Sequence, residues 1–240
     1  MAKVSIDYRR VDWRFVSKIL KENTLRLSRT RQGKSDTGSG WKKEPLLLSG
    51  EPLKEKVIHN EEVVYQSVYR AHSEAIPKSG DGVKQILFTI ADMTNEGLLS
   101  KGRFRTWEIH ANQKSLSGGE AVCGPEAKVS PEELPQAVAD FCSEVSRRWD
   151  ELGRDPVPLA AWAERQLNGG PLHPFYDGCG RISRALAAYL LIAGGHLLPL
   201  YDDSQSYFAH CNEGIETFTA YVRRSINRCA EWIKDGPQPL

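Results

Sequence analysis

Apolar positions recur at three- and four-residue steps through most of this chain. In VDWRFVSKILKENTLRL, Val11, Phe15 and Ile19 form one stripe with Val16 and Leu20 beside it, which predicts an amphipathic helix over about residues 11–27. Residues 52–76 repeat the pattern with Val57, Val64, Val68, Tyr65 and Tyr69, and residues 82–99 with Val83, Leu87, Ile90 and Met93. The polar PKSGDG separates these two helices. A further helix starts near SPEELPQAVADF, where Ser130 is a fitting N-cap, Pro131 stands at the first helical position and Glu133 completes a capping box. PVPLAAWAERQL predicts the next, ended by NGGP. RISRALAAYLLIAG is almost wholly apolar and closes on Gly194 and Gly195, the mark of a helix buried on most sides. One or two more helices follow in residues 206–233.

Period two occurs in one place. GRFRTWEIHA alternates Phe104, Thr106, Glu108 and His110 against Arg105, Trp107, Ile109 and Ala111, and a short extended GEAVCG follows, so a single β-hairpin is predicted. The Gly- and Ser-rich RTRQGKSDTGSGWKKEP reads as a linker, which divides the chain into an N-terminal basic helix and linker at 1–45 and a main domain at 46–240. No internal repeat is present. The fold class is mainly α, a helical bundle with one hairpin.

Composition narrows the function classes. In 240 residues, 40% are hydrophobic and 26% charged, which fits an ordinary globular chain. Lys and Arg number 32 against 31 Asp and Glu, a net charge of +1, too little for an obligatory nucleic-acid partner. Basic residues do gather in the first 43 positions (among them Arg9, Arg10, Lys18, Lys21, Arg26 and Lys43), either for an acidic or phosphate-rich partner or as a solvated helix face and tail. The five cysteines lack C-x-x-C spacing, so no disulfide framework or zinc site is expected and a reducing cytosol fits. No stretch has the apolar length of a membrane span, and no membrane partner is expected.

The densest chemistry lies in LHPFYDGCGRISR, residues 172–184. Gly178, Cys179 and Gly180 open the buried helix, so their backbone N–H groups and the positive end of its dipole can converge on an anion. Arg181 and Arg184, three apart, can give planar forks to further phosphate oxygens. Asp177 supplies a hard carboxylate of the kind magnesium shares with phosphates. His173 can take a proton near neutral pH. Base, metal ligand, anion hole and charge clamp are what phosphoryl or nucleotidyl transfer requires.

HPFYDGCGRISR resembles the signature of the Fic family, H-P-F-x-[D/E]-G-N-[G/K]-R-x-x-R, at every position except Cys179. GRFRTWEIHA is similar to the flap hairpin of that family and SPEELPQAVADF to the helix after it, so about residues 55–235 are covered. The resemblance implies the α-helical Fic fold and transfer of a nucleoside monophosphate, most often AMP from ATP with Mg2+, to a Ser, Thr or Tyr hydroxyl of a protein. It implies His173 as base and Asp177 as magnesium ligand. Gly178, Cys179 and Gly180 would take the α-phosphate, and Arg181 and Arg184 the outer phosphates. Tyr207 and Asn212 stand in a region similar to the family's nucleoside contacts. Arg105, Thr106, Trp107, Glu108, Ile109 and His110 would dock the target segment by strand addition.

Two departures stand out. Cys179 replaces an amide with a weak S–H donor, which either lowers or alters the activity, or makes it redox-sensitive, or leaves the backbone N–H to do the work. NGGPL gives a longer lead-in to His173 than the family has. Relatives often carry [S/T]-x-x-x-E-[G/N], with a glutamate that pairs with the second arginine; ADMTNEG, with Glu96 and Gly97, has Ala91 or Asp92 at the Ser/Thr position and reads as an ordinary turn. A regulatory partner, transfer of another phosphate-containing group (phosphate, UMP, GMP or phosphocholine) and a catalytically silent binding module remain as alternatives.

Overall fold

The computed structural model describes residues 13–28, 51–70, 77–98, 103–106, 128–152, 155–168 and 170–235. These hold eight helices: α1 (Trp13–Ser28), α2 (Glu51–Arg70), α3 (Gly80–Thr94), α4 (Leu134–Leu152), α5 (Val157–Asn168), α6 (Cys179–Ala193), α7 (Ser204–Glu213) and α8 (Ile215–Asp235). The mainly α expectation holds.

Helix α6 is the centre. Cys179, Ile182, Ser183 and every residue from Ala185 to Ile192 are buried, which its apolar composition dictates. It packs against α5, α2 and α3, while α8 covers α5 from the other side. Both α5 and α6 bury runs of alanine (Ala160, Ala161, Ala163; Ala185, Ala187, Ala188), small side chains that let two helices lie close along their length. Each buried leucine of α6, such as Leu186, Leu190 and Leu191, contributes about 1.5–3 kcal/mol.

Local signals set the helix ends. The Ser79 hydroxyl oxygen accepts from the Gly82 N–H at 3.1 Å to cap α3, and Asp203 accepts from the Ser206 N–H at 2.8 Å to cap α7. Gly214, with φ 135°, splits the last helical stretch into α7 and α8. The carboxylate of Glu133 accepts from both the N–H and the hydroxyl of Ser130, at 3.1 and 2.9 Å. Residues 131–133 nevertheless form a turn and α4 begins at Leu134, three residues later than the capping pattern predicts. Pro135 then falls in the first turn, where its missing N–H costs no hydrogen bond.

Helix α1, which the linker sets apart in sequence, buries Val16, Ile19 and Leu20 in the same apolar cluster as α6. Asn23 clasps the segment after α6 from both sides: its amide donates to the Pro199 carbonyl at 2.7 Å and its oxygen accepts from the Tyr201 N–H at 2.9 Å. The described basic side chains of α1 are engaged locally. Lys21 pairs with Glu62 at 2.6 Å, Arg26 with Glu22 at 2.8 Å, and Lys18 lies 5.2 Å from the Trp232 ring. Arg9, Arg10 and Lys43 lie outside the described residues.

The β-hairpin is not seen. Trp107, Glu108, Ile109, His110 and the GEAVCG stretch lie outside the described residues. The described part, residues 103–106, makes an isolated antiparallel bridge, Phe104 with Phe175. The Arg105 N–H donates to the Pro174 carbonyl at 2.9 Å and the Tyr176 N–H to the Arg103 carbonyl at 3.0 Å. Phe88, Phe104 and Phe175 close ring on ring above it, with centroids 5.6–6.0 Å apart.

Candidate active site

The segment 172–184 joins α5 to the buried α6 and gathers its charged groups at one helix end. Gly178 is the N-cap of α6 with φ 79°, a left-handed conformation that favours glycine, and no side chain caps the helix. The first N–H groups of α6 therefore have neither an intrahelical partner nor a cap, as an anion cradle requires. A Cβ on Gly178 would stand 3.0 Å from Asn95 Oδ1 and 3.2 Å from Arg181 Nη2. On Gly180 it would stand 3.0 Å from Asn168 Oδ1 and 3.2 Å from Arg184 Nη1. Both glycines thus keep space clear among polar groups.

His173 has φ 35°, the only positive value at a described non-glycine residue, a strained conformation that costs about 1–3 kcal/mol and needs neighbours to impose it. Its Nδ1 lies 2.8 Å from the carbonyl oxygen of Asn168, the last residue of α5. A carbonyl only accepts, so Nδ1 carries the proton and Nε2 keeps the lone pair. Its own carbonyl accepts from Arg105 Nε at 2.9 Å. Burial lowers the His173 pKa and the nearby Arg105 charge lowers it further, against the upward pull of the Asn168 carbonyl and of Asp177.

Arg105 has a different place from the one expected. Only 1% exposed, it spends its guanidinium on the carbonyls of His173, Leu172 (3.4 Å) and Val129, and its N–H on Pro174. It fastens the loop 172–174 through these carbonyls. Thr106 beside it is exposed.

Asp177 is exposed and pairs with Arg181 at 3.1 Å. Asn95, fully buried at the end of α3, donates to the Asp177 carbonyl at 3.2 Å, while its Oδ1 and the Nη1 of Arg181 are buried without a partner. Arg184 lies 3.7 Å from Glu61 of α2. Burial disfavours its charge, but Tyr65, Glu61, Tyr207 and Glu164 around it outweigh that and hold it protonated. The carboxylate beside the second arginine is therefore Glu61, not Glu96, which sits in a turn with its carbonyl taken by Asn60. Sequence inspection misses Glu61 because Val57 and Glu62 stand where the inhibitory pattern has Ser/Thr and Gly/Asn.

The Cys179 side chain faces inward. Its sulfur accepts from the Phe175 N–H at 3.3 Å and donates to the Phe175 carbonyl at 3.4 Å, and burial pushes the thiol up to about 12. Only its backbone N–H belongs to the cradle. Tyr207 is also interior, 1% exposed, with its hydroxyl donating to Glu164 at 2.7 Å; Asn212 is exposed on α7.

The donor set fits a magnesium ion carried by phosphates: one exposed carboxylate beside a free helix N-terminus. Among the described residues no group of three or more His, Cys, Asp or Glu could hold a metal by itself. Nor is any described helix long and apolar enough to cross a membrane.

Solved structures share this arrangement of helices. A Fic domain containing signalling protein from Bacteroides thetaiotaomicron matches with a TM-score of 0.61 at 17% identity, over 91% of this chain and 87% of that one. Fic-1 from C. elegans matches with a TM-score of 0.53 at 18% identity, over 94% of this chain and 63% of that one. A Fic family protein from Desulfovibrio desulfuricans matches with a TM-score of 0.53 at 15% identity, over 94% and 67%. No protein-family model matches the sequence, and no curated protein does. The chain has the Fic fold.

Proposed function

We propose that the chain is a nucleotidyltransferase that moves AMP from ATP to a Ser, Thr or Tyr hydroxyl of a target protein. The observation that carries this reading is the 2.8 Å contact between His173 Nδ1 and the Asn168 carbonyl. With Nδ1–H given to that carbonyl, Nε2 is left as the base on the turn that leads into the glycine-opened N-terminus of α6. The target oxygen attacks the α-phosphorus in line, Nε2 takes the hydroxyl proton, and the bond to the bridging oxygen breaks to release pyrophosphate. The N–H groups of Gly178, Cys179 and Gly180 meet the charge on the α-phosphate, and Arg181 and Arg184 that on the leaving group. Asp177 would hold Mg2+ together with the phosphates, and the ion would supply charge neutralisation.

Glu61 gives the same site a brake. Its carboxylate lies 3.7 Å from Arg184 Nη2 and would compete with an outer phosphate for the guanidinium. The described cysteines (Cys142, Cys179, Cys211 and Cys229) are free and buried, which accords with a reducing cytosol.

The test is label transfer from α-labelled and γ-labelled ATP in parallel, with intact-mass analysis of the acceptor. Label from the α position in the parent, and at least 10²-fold less in His173→Ala (the size of a general-base contribution), supports the reading. Label from the γ position alone makes the chain a phosphotransferase, and equal labelling by His173→Ala removes the proposed base.

A further inference from the structure

Glu164 is a buried acid that the proposed reaction does not use. It lies on α5, 1% exposed, in a region where charge is expensive. Two tyrosines satisfy it: Tyr201 donates to Oε2 and Tyr207 to Oε1, both at 2.7 Å, the short distance of a charge-assisted bond. The Tyr207 oxygen in turn accepts from the side-chain amide of Asn168 at 3.0 Å. Asn168 is the residue whose main-chain carbonyl receives the His173 proton. With Glu164 ionised the series runs from amide to phenol to carboxylate, because a carboxylate only accepts and the amide nitrogen only donates.

The series ends at two working groups. Asn168 Oδ1 lies beside Gly180 of the cradle, 3.0 Å from where a Cβ would be. Arg184 is close enough to Glu164 and Tyr207 for both to stabilise its charge. The last residue of a helix is also where the backbone frays unless something holds it. NGGPL follows, and Gly170 packs its Cα against Arg165 and Gln166 so tightly that a Cβ would meet the Arg165 carbonyl at 2.5 Å.

We propose that Glu164 and Tyr207 are positioning residues for His173: by gripping the Asn168 side chain they hold its carbonyl where it fixes the imidazole in the Nδ1–H form. The inference rests on His173 being the base, but the geometry it concerns exists without any substrate. Tyr201 supplies an internal control. It satisfies the same carboxylate with a bond of the same length, whereas the Asn168 amide donates to Tyr207. Losing either hydroxyl costs Glu164 one donor; only loss of the Tyr207 hydroxyl also releases Asn168.

The experiment compares Tyr207→Phe with Tyr201→Phe by 15N NMR of the histidine rings, with thermal unfolding to confirm that both variants fold. The expected result is a single Nδ1–H tautomer for His173 in the parent and in Tyr201→Phe, and a mixture with the Nε2–H form in Tyr207→Phe. Where transfer activity is measured, kcat of Tyr207→Phe falls about tenfold with KM for the nucleotide unchanged, the size of a modest misplacement of a catalytic group. A His173 tautomer unmoved in folded Tyr207→Phe, or moved equally by Tyr201→Phe, overturns the proposal. Absence of any transferase activity in the parent would instead count against the proposed reaction, and the tautomer measurement would still decide this one.

Discussion

Arg105 Nε donates to the carbonyl oxygen of His173 at 2.9 Å, across 68 residues of chain. A charged side chain from one segment thereby holds the backbone of another in a left-handed conformation it would not keep alone. The loop carbonyls of Leu172 and Val129 depend on the same guanidinium.

Replacing Arg105 by Lys keeps the charge and loses the fork, so the Nε bond to the His173 carbonyl and the Nη2 bonds to Leu172 and Val129 are no longer all made. Stability should fall by about 1–3 kcal/mol, the cost of leaving buried acceptors unpaired, as read from urea denaturation. Transfer activity should fall with it, since the His173 backbone is then unsupported. Parent-like stability in Arg105→Lys would show that the fork is dispensable.

The pH dependence follows from His173. Burial lowers its pKa below the ordinary 6.5, so the neutral, proton-accepting form prevails at a lower pH than in a free imidazole. The acid limb of the kcat/KM profile should fall below pH 6.5 and be flat through neutrality. Linkage has the matching sign. Between the lowered pKa and 6.5 the unfolded chain binds more protons than the folded one, so this group's contribution is complete above 6.5 and is lost as pH falls through that window. An acid limb above 6.5 would contradict the burial of the ring.

Cys179 should be chemically quiet. The thiol is buried, its sulfur is bonded on both sides to Phe175, and the pKa is pushed up to about 12, so thiolate is scarce at neutral pH. Burial holds Cys142, Cys211 and Cys229 in the same condition, each at about 12. In a Cys123→Ser background a thiol reagent should label the native protein negligibly and label four sites after unfolding. Rapid native labelling at 179 would revive a redox role for the position.

Glu61→Gln tests the brake on Arg184. Neutralising the carboxylate 3.7 Å away leaves the guanidinium to a phosphate alone, and ATP affinity should rise about tenfold, equivalent to about 1.4 kcal/mol. Titration calorimetry reads this directly. Unchanged or weaker binding would mean that Glu61 orders Arg184 for the nucleotide instead of competing for it.

Helix positions and the turn 172–184 were legible in the sequence because both are local. Apolar spacing states which face of α6 is buried, and glycines ahead of an apolar run state where an anion could sit. The same locality explains what the sequence leaves open. Arg105 alternates with its neighbours as a strand residue does, and nothing nearby in sequence says that its guanidinium will turn under a loop from another segment. Tyr207 looked like a ligand contact because an aromatic phenol suits both a pocket wall and a buried acid, and only the packing of α5 against its neighbours chose the acid.

By itself, then, the sequence determined a helical domain and one glycine-opened turn at a helix N-terminus, since periodicity and glycine placement act over a few residues. Tertiary structure alone decided which imidazole nitrogen of His173 meets the Asn168 carbonyl, which carboxylate faces Arg184 and where the Cys179 sulfur points. Those outcomes depend on main-chain carbonyls and on side chains from separate helices, and a carbonyl oxygen is the same in every residue, so no pattern of residue types can announce which one a side chain will meet.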